Sequence, residues 1–155
     1  MMVSVKVNGT PASSDVGPGL LLIDYLREQM LLTGGKVGCD TGHCGACVVR
    51  VDGETAKSCL MLAAQADGST VDTVEGLGSD GELTALQEAL YDEHGTQCGF
   101  CTPGVVMTLT SMLEREPNPA EEQVRSWLSG NLCRCTGYQS IVRAALRLAK
   151  GEDDG

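Results

Sequence analysis

The chain has 155 residues, a length that suits one ordinary domain or two small ones and excludes a large enzyme with its own substrate cleft. Its 21 acidic residues outnumber 11 basic residues, and the net charge of −10 argues against nucleic-acid binding, because clustered Lys and Arg hold phosphate backbones. The longest aliphatic run, residues 20–23, is far shorter than the ~20 apolar residues of a membrane span. No export signal is visible at the N-terminus, so we expect a cytoplasmic protein without a membrane span.

The first half of the chain predicts a small α+β unit. The predicted elements are a hairpin, an amphipathic helix, a second hairpin and a closing strand, at residues 3–16, 20–30, 47–58 and 70–74. Asn8-Gly9 and Asp52-Gly53 supply the two hairpin turns, since both dipeptides favour the left-handed conformations of tight turns. Gly34-Gly35 follows the helix and ends it. Two hairpins and a strand wrapped on one helix predict an α+β roll.

The second half of the chain places its apolar residues at helical period. A turn-rich segment at residues 76–81 separates the two halves, so we expect one domain at residues 1–76 and another at residues 77–155. Four helices are predicted, at residues 83–91, 104–114, 120–128 and 138–150. The expected architecture of this half is an all-α four-helix bundle, with a short acidic tail at its end.

Eight cysteines form two groups of four. The first group has the spacing Cys-x4-Cys-x2-Cys with a fourth cysteine further along, and consists of Cys39, Cys44, Cys47 and Cys59. This spacing is typical of plant-type ferredoxins, in which four thiolates hold a two-iron two-sulfur cluster. Five glycines between residues 34 and 45 allow the backbone to fold around a cluster and to direct N–H groups at its sulfurs. We therefore predict a cluster site in this loop.

The second group of cysteines consists of two close pairs, Cys98 with Cys101 and Cys133 with Cys135. Thr102-Pro103 predicts an N-cap and first helical residue after the first pair, and Thr136 with Gln139 predicts a capping box after the second. Both pairs are thus expected at positive helix ends, which stabilise an anionic cluster. The pattern suits a second two-iron two-sulfur cluster. It leaves tetrahedral zinc open, because Cys-x2-Cys is a common zinc knuckle.

Other interpretations of the first group fit less well. A disulfide framework needs an oxidising compartment, for which the sequence gives no sign. Zinc sites usually pair their ligands as two close knuckles, unlike the x4 arm and solitary fourth cysteine found here. Rieske ligation needs two histidines with matching spacing, and His43 and His94 do not provide it. His43 is interpreted as a loop residue near the cluster.

Both cysteine groups lie in longer motifs, GCDTGHCGAC at residues 38–47, QCGFCTPG at residues 97–104 and GNLCRCTGY at residues 130–138. Together they resemble the iron–sulfur subunit of the xanthine oxidase family of molybdenum hydroxylases. Residues 38–44 and 57–61 look most like carbon monoxide dehydrogenase small subunits and related bacterial dehydrogenases. The resemblance implies a β-grasp ferredoxin domain followed by an all-helical domain, each with one two-iron two-sulfur cluster on its own cysteines.

The resemblance also implies an electron-transfer role in a heteromeric enzyme. In the family, electrons pass from a molybdenum-pterin cofactor in a large subunit through both clusters to FAD in a medium subunit, and we expect a dimer of such heterotrimers. By the same resemblance, Gln97 and Cys135 approach the pterin, Cys135 while also ligating iron. Catalysis belongs to the large subunit, so no catalytic residue is expected on this chain. Apolar surface around Phe100, Pro103 and Tyr138 is expected to meet that partner.

Two other functions remain alternatives. A standalone soluble ferredoxin with two clusters would serve diffusing redox partners, and the acidic composition favours it. A structural zinc-binding interaction protein would be colourless and would lack a reducible centre, but the plant-type spacing of the first group argues against it.

Overall fold

The computed structural model describes residues 1–79 and 81–149, and its first half is a mixed five-stranded sheet. The strands are β1 Met2–Val7, β2 Thr10–Asp15, β3 Val48–Val51, β4 Glu54–Lys57 and β5 Thr70–Asp72. Their order is β2-β1-β5-β3-β4, with β1 and β5 parallel and the other neighbours antiparallel. Both predicted hairpins are confirmed. Asn8 and Gly9 have φ of 48° and 81°, and Asp52 and Gly53 have φ of 51° and 84°, as tight hairpin turns require.

A short helical segment of the first half packs on this sheet. It begins as α1, Leu22–Asp24, and continues as a π-helical stretch, Tyr25–Gln29. The segment is shorter than the predicted residues 20–30, and Leu31, just beyond it, has a left-handed φ of 57° that a continuing helix does not allow. Alternate residues of β1 point into the core below the helix. The buried core residues of this half include Val3, Val5, Val7, Leu22, Tyr25, Leu26 and Val71.

All four predicted helices of the second half are present. They are α2 Ala85–Asp92, α3 Thr102–Arg115, α4 Glu121–Trp127 and α5 Gln139–Ala149. Short 3-10 helices lie at Ser58–Leu60, Ala63–Ala66, Val74–Gly76 and Leu128–Gly130. The four α-helices share a second hydrophobic core, which includes Leu86, Leu90, Leu109, Met112, Val124, Leu128 and Ile141. The predicted end of the last helix at residue 150 and the acidic tail lie outside the described residues.

Helix α3 joins the two halves, because it packs against β3 and β4. The Arg50 guanidinium on β3 binds the Glu114 carboxylate of α3 at 2.7 Å and lies 3.4 Å from the Asp72 carboxylate of β5. The N-terminal end of α3 approaches the sheet half even more closely, since a Cβ added to Gly104 would overlap the carbonyl oxygen of Gly45. Within the part of the chain that the structure describes, no helix is long and apolar enough to cross a membrane.

Candidate metal centres

The β3–β4 hairpin brings Cys47 and Cys59 together. Cys47 directly precedes β3 and Cys59 follows β4, and the register places Val48 opposite Lys57, so both cysteines lie at the same end of the hairpin. Their sulfurs are 3.2 Å apart and both residues are buried. The Ser58 hydroxyl donates to the Cys47 carbonyl oxygen at 2.7 Å and fixes the turn between them. These two thiols form one side of the first site.

Cys39 and Cys44 lie in the loop before β3. The Cys39 sulfur accepts the backbone N–H groups of Thr41 at 3.4 Å and of Cys44 at 3.3 Å. The loop can turn this sharply because Gly42 has a φ of 78°, and a Cβ there would overlap the Leu60 side chain. The turn thus aims amide dipoles at a sulfur, an arrangement that suits a thiolate ligand.

The pKa values of the first four thiols differ because their surroundings differ. Hydrogen bonds from the Thr41 side chain, and then from the Thr41 and Cys44 amides, lower the pKa of Cys39 to about 5. Burial, and then the neighbouring Cys47 thiol, raise the pKa of Cys59 to about 11. Without a bound cation the Cys59 thiol therefore stays protonated near neutral pH, whereas a positively charged metal centre favours its thiolate.

The second site is assembled from two loops of the helical half. Cys98 and Cys101 lie between α2 and α3, and Cys133 and Cys135 lie between the 3-10 helix Leu128–Gly130 and α5. Cys98 interacts with Cys135 at the surface, where both are exposed, and Cys101 interacts with Cys133 further inside. The structure thus brings the two sequence pairs together crosswise, one thiol from each loop in each contact.

Hydrogen bonds and burial also separate the pKa values at the second site. Burial, and then Cys133, raise the pKa of Cys101 to about 12. The same burial acts on Cys133, but hydrogen bonds from the Thr136 hydroxyl and from nearby amides outweigh it and lower its pKa. The backbone N–H of Phe100 lowers the pKa of Cys98, and the hydrogen bond with Cys98 raises the pKa of Cys135.

The two helix starts beside the second site differ from the predicted caps. Helix α3 begins at Thr102 with Cys101 as its N-cap, so Thr102 is the first helical residue instead of the predicted N-cap, and Pro103 is the second. The predicted capping box of Thr136 and Gln139 does not form, so this prediction is wrong. Gly137 and Tyr138 have left-handed φ values of 65° and 68°, which delay the start of α5 to Gln139. The Thr136 hydroxyl instead accepts the Tyr138 N–H at 3.1 Å and lies 3.0 Å from the Cys133 sulfur.

The loops of the two sites contact each other. The backbone N–H of Leu132 donates to the Cys44 carbonyl oxygen at 2.8 Å, and the Asn131 side chain donates to the Gly45 carbonyl oxygen at 3.3 Å. The Lys57 ammonium group, two residues before Cys59, donates to the Gly130 carbonyl oxygen at 3.0 Å. The ring of Phe100 lies against Gly38, whose added Cβ would be 3.2 Å from it. The two cysteine groups thus occupy adjoining sites.

Sequence reasoning missed the residues that join these loops. Asn131, Leu132 and Gly104 were not expected to take part, and Tyr138 was expected only as apolar surface. One available signal was Gly104, because a glycine inside a predicted helix costs stability unless it permits a close approach. The contacts of Asn131 and Leu132 depend on tertiary packing and left no local signal.

Other residues singled out in the sequence lie near these sites. Gln97 is exposed beside Cys98, and Phe100 is 46% exposed. The His43 ring nitrogen Nδ1 lies 3.1 Å from the Thr41 hydroxyl in the first loop. Pro103 and Tyr138 are half-buried, whereas Leu132 is 58% exposed, so the exposed apolar side chains of these loops include Phe100 and Leu132.

The donor set fits binuclear clusters. The second site joins its four thiols in two contacts, and the first site contains the Cys47–Cys59 pair together with Cys39, whose sulfur accepts the Cys44 N–H. Soft thiolates are the ligands that iron–sulfur clusters use, with two sulfurs on each iron. Among residues 1–79 and 81–149, no group of three or more His, Cys, Asp or Glu side chains is arranged to hold one metal ion. At Cys39 and Cys133, hydrogen-bond donors stabilise negative charge on the sulfur, as a thiolate ligand requires.

The unequal pKa values predict unequal reactivity after cluster removal under non-denaturing conditions. Near neutral pH Cys39 is a thiolate, because its pKa is about 5, whereas Cys59 and Cys101 are thiols with pKa values of about 11 and 12. Since the thiolate is the nucleophile, iodoacetamide will modify Cys39 first, and this preference will disappear as the pH falls through about 5. Peptide mass spectrometry after brief exposure measures the order. Equal labelling of the three cysteines at neutral pH would contradict it.

Comparisons with known proteins agree with this geometry. Residues 5–77 match the family described as 2Fe-2S iron-sulfur cluster binding domain, and residues 73–146 match the [2Fe-2S] binding domain. The chain is 50% identical over 146 residues to caffeine dehydrogenase subunit gamma of Pseudomonas sp. (strain CBB1), covering 92% of this chain and 87% of that subunit.

Two further proteins extend this likeness. The chain is 46% identical over 150 residues to the xanthine dehydrogenase iron-sulfur-binding subunit of Escherichia coli O157:H7, covering 96% of this chain and 94% of that subunit. A solved structure of quinoline 2-oxidoreductase from Pseudomonas putida 86 superposes with a TM-score of 0.94 at 46% identity, over 96% of this chain and 92% of the solved chain. The chain therefore belongs to the small iron–sulfur subunits of the xanthine oxidase family of molybdenum hydroxylases, the electron-transfer components of these oxidoreductases.

Proposed function

We propose that this chain relays electrons between a molybdenum-pterin cofactor on a large partner subunit and FAD on a medium partner subunit. The observation that carries the proposal is the direct contact between the two cysteine loops, in which the Leu132 N–H donates to the Cys44 carbonyl oxygen at 2.8 Å. Two adjoining metal sites on one small chain suit transfer through the protein better than binding of a substrate. The chain itself has no catalytic residue in this proposal.

We propose that each site holds its cluster on two cysteine pairs, one pair for each iron. The pairs are Cys39 with Cys44, Cys47 with Cys59, Cys98 with Cys135, and Cys101 with Cys133. Sulfur contacts and hydrogen bonds within these pairs support the assignment. When bound, the clusters supply reversible one-electron chemistry. The chain's own residues hold the sulfurs, and the Cys39 amide contacts and the Thr136 hydroxyl favour their thiolate form.

The direction of the relay rests on exposure. Cys98 and Cys135 are exposed at one surface, with exposed Gln97 beside them. We therefore propose that this surface meets the large subunit and that Gln97 and Cys135 lie near the pterin. Leu60 is 61% exposed over the Gly42 turn of the first site, which gives that site an apolar surface of its own for the FAD subunit. The proposed assembly is a dimer of heterotrimers in the cytoplasm.

The finer fold assignment is part of the same proposal. We assign the first unit to the β-grasp type and the second to a four-helix bundle, with the boundary after residue 76. Two hydrophobic cores that share no residue support this division, as does the meeting of the two matched families at residues 73–77. The proposed ranges are residues 1–76 and 77–155.

A second function is favoured by the net charge of −10, which suits a standalone ferredoxin that meets basic partners by diffusion. Affinity purification of the tagged chain from its native host distinguishes the two functions. We expect two larger chains to copurify, with molybdenum and FAD bound. We also expect an oxidisable compound, for example one of the N-heterocycles caffeine, xanthine and quinoline, to bleach the flavin absorbance of the purified complex. Recovery of an iron-loaded chain alone, at gentle salt concentrations, would favour the standalone ferredoxin.

A further inference from the structure

Asn131 lies where the two cysteine loops meet. Its side chain is buried, with 3% of the residue exposed, and its Nδ2 donates to the Gly45 carbonyl oxygen at 3.3 Å. Gly45 lies between Cys44 and Cys47 in the first loop, and Asn131 is two residues before Cys133 in the second. One buried side chain therefore connects the loops across 86 residues of sequence.

The backbone of Asn131 is fixed from the opposite side. Its carbonyl oxygen accepts the Tyr138 hydroxyl at 2.9 Å, and the same hydroxyl accepts the Cys133 N–H at 2.9 Å. The phenol thus holds Asn131 and Cys133 in one rigid turn. A shift of the Asn131 backbone would therefore also displace the hydroxyl that binds the N–H of Cys133, a cysteine of the second site.

The space around Asn131 allows little adjustment. A Cβ added to Gly45 would lie 2.7 Å from Asn131 Nδ2 and 3.0 Å from Asn131 Cα. Gly104 approaches the same Gly45 carbonyl from α3, again without room for a Cβ. The Gly45 carbonyl oxygen also accepts the Val48 N–H at 3.3 Å, so loss of the Asn131 amide removes the donor that comes from the second loop and leaves only the donor from its own loop.

We propose that Asn131 is a positioning residue that sets the separation and mutual orientation of the two clusters. This inference rests on the proposed function, because it requires both sites to hold clusters. Asn131 ligates neither cluster and touches no reacting atom. It acts through the Gly45 backbone on one side and through Tyr138 and Cys133 on the other.

Asn131→Leu tests the proposal, since it removes the donor at similar volume and without adding charge. The measurement is the magnetic splitting between the two cluster signals in low-temperature EPR spectra of the fully reduced native complex. We expect loss of the wild-type splitting at unchanged iron content, together with about a 10-fold slower turnover, as for other residues that orient metal ligands. Asn118→Leu is the matched control, because Asn118 is exposed and lies outside both cysteine loops.

Wild-type splitting in iron-loaded Asn131→Leu would overturn the proposal. Where that variant fails to retain iron, Tyr138→Phe decides, because it keeps the Asn131 amide but removes the hydroxyl that holds its backbone. A changed splitting in Tyr138→Phe supports the positioning role, and an unchanged one overturns it. Absence of two interacting signals in the wild-type complex is a separate result, which would overturn the proposed function before any variant is made.

Discussion

Gly104→Ala will destabilise the junction between the two cluster sites. The added methyl group overlaps the Gly45 carbonyl oxygen, a backbone atom that cannot turn aside as a side chain can. Overpacking of this kind costs about 1–3 kcal/mol, whereas alanine gains only about 0.5–1 kcal/mol over glycine within a helix. The cost of overpacking exceeds the gain in helix propensity, so we expect a net destabilisation of about 1–2 kcal/mol with partial loss of the second cluster.

The measurement for Gly104→Ala is the urea concentration at which the native complex loses its cluster absorbance, together with the iron content before denaturation. Gly19→Ala is the control, because a Cβ at Gly19 meets open space. A higher urea midpoint for Gly104→Ala, as helix propensity alone predicts, would contradict the close approach of the two loops.

Gly45→Ala should be more damaging still, because its left-handed φ of 73° adds strain to the overlap. Gly53→Ala separates these effects, since Gly53 has a φ of 84° but open space around it.

Cys101→Ser will remove one cluster and spare the other. A hydroxyl is a poor substitute for a soft thiolate on iron, and Cys101 is a proposed ligand of the second site only. We expect the iron content to fall by half, one of the two EPR signals to vanish, and electron delivery to the flavin to fall by more than about 100-fold, beyond the effect of losing an outer-shell partner. Cys59→Ser should remove the other signal.

His43→Ala is the matched control for the cysteine variants. His43 lies in the first loop, but its Nδ1 contacts the Thr41 hydroxyl, and we expect both clusters to survive its replacement. Loss of iron in His43→Ala would support histidine ligation at the first site. Full iron content in Cys101→Ser, or loss of both clusters together at unchanged protein stability, would contradict the division of ligands between two independent sites.

Local sequence signals predicted most of the elements but not their arrangement. Asn8-Gly9 and Asp52-Gly53 located both hairpins, because tight turns are specified by the residues within them. The parallel pairing of β1 with β5 joins segments more than 60 residues apart, and no local pattern specifies it. The cysteine spacing predicted two groups of four and indicated a cluster at the first, but at the second it left tetrahedral zinc open.

The errors near the second site have a common physical cause. The sequence of Thr136 and Gln139 satisfies a capping box, but the left-handed Gly137 and Tyr138 divert the chain before the helix begins. The Thr136 hydroxyl forms hydrogen bonds with the Cys133 sulfur and the Tyr138 N–H and does not cap the helix. Local preferences therefore yielded to the geometry needed around the thiols, and the contacts between loops, made by Asn131 and Gly104, could be seen only in three dimensions.

We propose that this chain holds two reducible clusters, one on each group of four cysteines. Iron, acid-labile sulfide and zinc per chain, combined with EPR spectra of the dithionite-reduced native complex, test it most directly. We expect four irons, four sulfides, no zinc and two distinguishable paramagnetic signals, one for each of the two matched domains. Two irons with one zinc, or a single signal at full reduction, would show that the helical site is structural and that no relay passes through it.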